Sequence, residues 1–387
     1  MLRVLMSLTL AGAATFGSTL AAATTYDLLV GTYTQASSEG LYRLRFDSQT
    51  GQIASAPVQV LQAQNPSWLA LNKAHTHLYV VNENGPGQKD TVGRVSAYRI
   101  DSATHELALI NQVQSKGDEP THASLSADEH YVFVSNYAVH PDPGGNLAVL
   151  PINADGSLGE VVQQFRNAPS KVNAERQASG HVHSAVSNRD YLYASDLGAD
   201  KVLIYRYQSG SNAPLSPASP ASVQLPPGSG PRHLLFDASG NHAWLTLEMP
   251  AQVASFVWRA GNLIRTQLLD LAPGQTPVGG AGGGLHLSPD GRFLYVANRG
   301  TVNELVVYAV DHEGGLKPVQ RRSVEGDHPR EFTLDPSGRF VLVANQKSNE
   351  IVVIERDPAT GMLKRTVQHY KQDSPSDLKF LAPPHQP

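Results

Sequence analysis

One strand-like hexapeptide occurs seven times along the chain: LLVGTY (28–33), LYVVNE (78–83), VFVSNY (132–137), LYASDL (192–197), AWLTLE (243–248), LYVANR (294–299) and VLVANQ (341–346). Successive copies start 50, 54, 60, 51, 51 and 47 residues apart. A near-constant period of this length, built on strands, marks a repeat architecture in which each unit buries its apolar faces against its neighbours. A second run follows each copy: GLYRLRFD (40–47), GRVSAYRID (93–101), NLAVLPIN (146–153), DKVLIYRYQ (200–208), QVASFVWR (252–259), ELVVYAVD (304–311) and EIVVIERD (350–357). Alternating β-branched and aromatic residues identify these as half-buried strands. Turn sequences such as DGSL, EGGL and ATGM then lead into a further extended segment. No long stretch carries the i, i+3, i+4 apolar spacing of a helix, so the fold class is all-β.

A further strand precedes six of the seven hexapeptides, as PSWLALN, THASLSA, VHSAVSN, RHLLFDA, GLHLSPD and REFTLDP. The first copy lacks it, and a matching segment, SPSDLKFLA (374–382), stands at the C-terminus instead. Circular closure accounts for both facts. The expected architecture is a seven-bladed β-propeller with four-stranded blades, its ring closed by N- and C-terminal strands in one blade. Closure also removes sheet edges that would pair with other chains. The length of 387 residues would otherwise suggest two or three domains, but a ring makes 24–387 a single domain. Two β-sandwiches are the competing arrangement, and the even period argues against them.

Residues 1–23 carry one charge, Arg3, then a small-residue-rich apolar stretch ending in Ala21, Ala22 and Ala23. This reads as a cleaved signal peptide and predicts export to a periplasm, with no membrane span after cleavage. A net charge of −4 without a basic tract argues against a nucleic-acid partner. With no cysteine, the chain has no disulfide scaffold, thiolate zinc site or cysteine nucleophile.

In a propeller the leading strand lies nearest the axis, so polar residues at its start converge at one mouth of the channel. The candidates are Trp68, His122, His181, His183, Arg232, His233 and His286, with Glu83, Tyr137, Glu248, Arg299 and Gln346 at hexapeptide ends. His181 and His183 are expected on one strand face, since side chains alternate. Catalysis or binding, structural hydrogen bonding and metal ligation all stay open for them. A metal would need a third ligand, and no dedicated metal motif is present. Arg232 suits a bidentate grip on a carboxylate or polarisation of a carbonyl; a salt bridge is the alternative. Glu248, sixteen residues on and one hairpin away, is expected beside it, either as a proton acceptor or as a structural ion-pair partner. Arg299 would add a second positive group. No G-x-S-x-G elbow occurs. The run GGAGGG (279–284) lacks the following Lys-Ser/Thr of a phosphate loop and reads as an inter-blade loop, with a role as pocket lid open.

The motifs VGTYT (30–34), HVH (181–183), SDLGADKVLIYRY (195–207), GPRHLLF (230–236), LHLSPDGRFLYVANR (285–299) and PREFTLDPSGRFVLVANQKSNEIVVIE (329–355) resemble the seven-bladed propeller lactonase family. That family includes bacterial 6-phosphogluconolactonases and the fungal carboxy-muconate lactonising enzyme. The resemblance spans about residues 26–380. It implies a catalytic histidine, two arginines and a glutamate, matched by motif to His183, Arg232, Glu248 and Arg299. His181, His233, His286 and His122 fall to substrate binding, and no metal or cofactor is expected. The chain departs from the family at Gly284, where relatives usually carry an acid, and at Leu247, where they carry an amide. The implied reaction is lactone hydrolysis. Arg232 and Arg299 would stabilise the oxyanion, and His183 or Glu248 would accept a proton from water. Export argues for an unphosphorylated sugar lactone, glucono-1,5-lactone to gluconate, over 6-phosphoglucono-1,5-lactone. A muconate lactonising enzyme and a non-catalytic binding propeller are the other readings.

Overall fold

The computed structural model describes residues 25–34, 36–138, 145–274 and 282–382. The expected leader lies outside these residues, as do Gly279, Gly280 and Ala281 of the glycine run. The remaining glycines of that run, Gly282, Gly283 and Gly284, open a strand rather than forming a loop.

Seven antiparallel sheets follow one another along the chain. Blade 2 shows the pattern: Pro66–Leu71, His77–Asn82, Arg94–Ile100 and Leu107–Gln114 run from the axis outward in sequence order. Blades 3 to 7 start at Pro120, Val182, Pro231, Gly282 and Pro329 and are built alike. The innermost strands touch their neighbours all the way round, the last one, Pro375–Phe380, meeting that of blade 2. Pro375–Phe380 also pairs antiparallel with Thr25–Thr32, Val30 opposite Leu378, so the two ends of the chain close blade 1. This blade departs from four strands in one respect. Its outer position is divided between Gln52–Ile53 and Gln59–Gln62, both paired with Gly40–Asp47. Pro57, which has no N–H to donate, stands in the gap.

Each junction between blades holds its own apolar cluster. Because successive side chains point to opposite faces, one strand feeds two clusters. Leu192 and Ala194 pack toward blade 3, while Tyr193 between them packs toward blade 5. A large side chain fully buried in this way contributes about 1.5–3 kcal/mol relative to exposure.

Amide clamps at the circumference reinforce the junctions. Gln320 Nε2 donates to the Leu363 carbonyl at 2.8 Å, and the Leu363 N–H returns a bond to Gln320 Oε1 at 2.7 Å. Gln59, Asn111, Gln163, Gln267 and Gln368 make the same reciprocal pair with Leu107, Leu158, Leu215, Leu316 and Ile53.

Two regularities at the inner end prepare the site. In blades 2 to 7 the hexapeptide strand ends one residue before its motif, as at Asn82, Asn136, Leu247 and Asn298. Glu83, Tyr137, Glu248, Arg299 and Gln346 therefore stand just beyond a strand, at the mouth. Secondly, every innermost strand has a bulge immediately after its first residue. A bulge leaves one residue unpaired and re-aims its side chain. The residues left out of the pairing are Ser376, Ser67, Thr121, His183 and Arg330, with Arg232 and His233 in blade 5 and Gly283 and Gly284 in blade 6.

Candidate active site

These two circles of residues enclose a cavity of about 260 Å³ at the mouth. The bulges supply Thr121, His183 and Arg330 to its wall, and the strand ends supply Glu83, Tyr137, Glu248 and Arg299. Glu119, ahead of Pro120, and Arg176, from the connection between blades 3 and 4, complete it. Asn173 Oδ1 accepts from the Arg176 N–H at 2.9 Å, and Gln177 Nε2 donates to the Leu197 carbonyl at 2.9 Å and to Asp200 Oδ1 at 2.8 Å. Those bonds fix the connection that carries Arg176 over the mouth. Beneath lies a much smaller cavity of about 10 Å³, lined by Arg232, His233, Trp68 and Glu331 among others. Thr121 and Arg330 border both.

Glu248 is the hub. Its Oε2 is 2.9 Å from Arg299 Nη2 and 3.1 Å from Arg232 Nε, and its Oε1 accepts from Arg176 Nη2 at 2.6 Å. Burial alone would raise the carboxyl, but Arg299, Arg232 and Arg176 together bring it down from 4.5 to about 2. It is thus a permanently ionised anchor and a weak base. The arrangement answers the open choice for Glu248 and Arg232: they are ion-paired. Arg232 is 1% exposed; burial and the neighbouring Arg299 pull its pKa down, yet a guanidinium stays protonated at neutral pH. Arg232 Nε faces Glu248 Oε2, and the buried Nε of Arg299 has no hydrogen-bond partner among the described residues.

His183 and His181 have different surroundings. Val182 pairs with Asp196 and Ser184 with Ser195, so His183 occupies the bulge, while His181 precedes the strand. The expectation of a shared strand face fails because a bulge interrupts the alternation. His181 stacks on Tyr137, with ring centroids 4.6 Å apart, and its Nδ1 donates to the Tyr137 carbonyl at 2.8 Å. His183 lines the cavity, and its Nδ1 is buried with no hydrogen-bond partner among the described residues. Burial first, then Arg232 and the nearby His233, Arg330 and Arg299, holds its pKa well below 6.5. The imidazole is neutral at pH 7.

His122, His233 and His286 do not line the mouth cavity; they belong to the channel below it. His122 and His233 surround Trp68, with centroids 4.5 and 5.0 Å from the indole. Glu331 joins two of these histidines, with Oε2 3.4 Å from His233 Nδ1 and Oε1 2.9 Å from His286 Nε2. The carboxylate fills the space that Gly284 leaves, for a Cβ at Gly284 would fall 2.1 Å from Glu331 Oε1. The acid missing at 284 is thereby supplied from the next blade. Gln346 lines neither cavity.

Arg330, Glu331, Glu119 and Arg176 are site residues that sequence reasoning did not single out. A signal existed for Arg330: Pro329-Arg330 repeats Pro231-Arg232 at the same place in its blade. Its Nη2 lies 3.4 Å from both Glu83 oxygens, and Glu83 Oε2 also accepts from Tyr33 OH at 2.8 Å and Ser67 Oγ at 2.5 Å. Arg176 lies outside the repeat and leaves no periodic trace. Among the described residues, no three His, Cys, Asp or Glu side chains converge to hold a metal ion.

Fold and mouth together define a propeller enzyme scaffold whose polar site is assembled from several blades. A family described as lactonase, 7-bladed beta-propeller matches residues 27–380. A 6-phosphogluconolactonase of Bacillus subtilis is 33% identical over 362 residues, covering 92% of this chain and 99% of the relative. One from Formosa agariphila is 31% identical, covering 92% and 100%. Among solved structures, the periplasmic gluconolactonase of Pseudomonas aeruginosa is 51% identical, with a TM-score of 0.89 over 93% of this chain and 99% of that one. The chain belongs to the seven-bladed propeller lactonase family, and it is a carboxylic-ester hydrolase acting on a lactone.

Proposed function

We propose that the enzyme hydrolyses glucono-1,5-lactone to gluconate in the periplasm, as a single domain spanning 24–387 once residues 1–23 are removed. The observation that carries this reading is the juxtaposition in one small cavity of a neutral, unpartnered imidazole with a guanidinium fixed by a shared carboxylate. Water attacks the carbonyl carbon and gives a proton to the His183 imidazole. Negative charge developing on the carbonyl oxygen is met by Arg299 in the wall, with Arg232 beneath adding to the field. As the tetrahedral species collapses, the ring C–O bond breaks and the proton passes from His183 to the departing ring oxygen, which becomes a hydroxyl. Glu248 takes no proton; it holds the arginines in place. His181, through its stack on Tyr137, supports the wall, and His233 with Glu331 and His286 supports Arg232 from the channel.

Support for the free sugar comes from the leader-like residues 1–23 and from the name of the Pseudomonas aeruginosa structure. Among the described residues no helix is long and apolar enough to cross a membrane. The Bacillus subtilis and Formosa agariphila relatives favour a second reading, hydrolysis of 6-phosphoglucono-1,5-lactone. Protein lacking residues 1–23, assayed against both lactones with the spontaneous rate subtracted, separates the two. Faster turnover of the phosphorylated lactone would replace the first reading with the second, and no acceleration of either would end both.

A further inference from the structure

Glu119 also lines a second cavity, of about 720 Å³, which adjoins the mouth cavity at that residue. Ligand pockets run from roughly 300 to 1,000 Å³. The mouth cavity thus suits one small ring, and its neighbour has room for another. Gly85 permits the shared wall, since a Cβ there would meet Glu119 Cγ at 2.4 Å.

The lining of this second cavity states what it would take. Pockets for drug-like ligands are mostly apolar, whereas this one presents Asn65, Asn84, Gln88, Lys89, Asp90 and Glu119. The amides are held in place: Asn65 Nδ2 donates to Asn84 Oδ1 at 3.0 Å and to Gln88 Oε1 at 2.7 Å, and Asn65 Oδ1 accepts from the Thr34 N–H at 2.9 Å. One lysine stands against two carboxylates, so the cavity has no cationic excess to favour an anion. Fixed amides without net positive charge suit a neutral polyhydroxylated ring.

We propose that the enzyme also accepts 1,5-lactones of oxidised disaccharides, with the second sugar, attached at oxygen 4, seated in this adjoining cavity. The inference rests on the reading of the mouth as a sugar-lactone site. In a six-membered lactone the carbonyl carbon and carbon 4 occupy opposite corners of the ring. A carbonyl directed at Arg299 therefore turns oxygen 4 toward the opposite wall, where Glu83 and Glu119 stand. The chemistry is unchanged: water adds at the carbonyl carbon, the ring ester bond breaks, and the glycosidic bond stays intact.

Cellobiono-1,5-lactone and glucono-1,5-lactone, assayed on the mature protein, provide the test. The KM for the disaccharide lactone is expected about tenfold lower, the worth of one or two extra hydrogen bonds. Lys89→Trp, at an exposed position that projects into the second cavity, should raise that KM about tenfold while leaving glucono-1,5-lactone within about twofold. Gln88→Ala should raise it about threefold with the same selectivity. Turnover of glucono-1,5-lactone alone, or an equal effect of both substitutions on both substrates, overturns this inference and leaves the proposed function standing. Activity on neither substrate overturns the proposed function itself.

Discussion

At the circumference, six of the seven junctions between blades use the same device, an amide side chain gripping the backbone of the next blade through two hydrogen bonds. At the inner bulge the equivalent positions carry three hydroxyls, Ser376, Ser67 and Thr121, then His183, Arg232, Gly283 and Arg330, so no single side chain serves all round the ring. Where neighbouring blades need only to be held together, one solution serves at every junction. Where side chains from several blades face a common cavity, sevenfold repetition would place like charges together, and the symmetry is broken residue by residue. Glu248 and the three arginines around it are possible only because their blades differ.

The largest effect expected of a test of this contrast falls on the hub. Glu248→Ala leaves three guanidinium groups without their carboxylate and should cost about 3–5 kcal/mol of stability, read from urea unfolding. A loss below about 1 kcal/mol, the level of an exposed pair, would mean that the arginines are solvated in solution. His183→Ala should lower kcat about 100-fold or more, the usual worth of a general base, with the unfolding midpoint little changed. Equal loss of stability and activity would reassign His183 to a structural role.

The pH dependence sharpens the same comparison. Because His183 is held below 6.5, its base form persists through neutrality, and kcat/KM should stay level from about pH 8 to about pH 6.5 and decline only at lower pH. A midpoint at or above 6.5 would point to another base. Glu248 acts on stability in its own window. Its folded pKa is depressed, so the unfolded chain binds the proton first as pH falls. The stability it contributes is fully present above 4.5 and is lost on descent through about 2. Glu248→Gln should remove that part of the acid dependence, followed by unfolding against pH. The smallest effect belongs to the circumference: Gln320→Ala should cost about 1 kcal/mol or a little more and leave kcat/KM unchanged. A change in activity there would show that the outer clamps and the mouth are coupled.

Much of the fold was legible in the chain. The hexapeptide, its companion strands and the displaced SPSDLKFLA segment implied seven blades and a shared first blade, and the pairing of Val30 with Leu378 bears this out. Arg232 and Glu248 were grouped by the single hairpin between them, and Arg299 by its position equivalent to Glu248 in the next blade. His181 and His183 could not be separated by alternation, because a bulge adds a residue without any mark in the local sequence. Arg330 was legible as the counterpart of Arg232 but was not read, and Arg176 had no counterpart to reveal it. The strand ends were placed one residue late, since apolar alternation does not record which residue makes the last ladder bond.

By itself, the sequence determined the architecture and which residues would gather at the axis, because period and alternation are properties of the chain that survive without its partners. The tertiary structure alone decided what each residue does there. Glu248 is an anchor rather than a base because three arginines, one from outside the repeat, converge on it. His183 rather than His181 faces the cavity because one unpaired residue turns it inward. Charge and orientation at a shared site depend on distances between blades, and those exist only once the ring has closed.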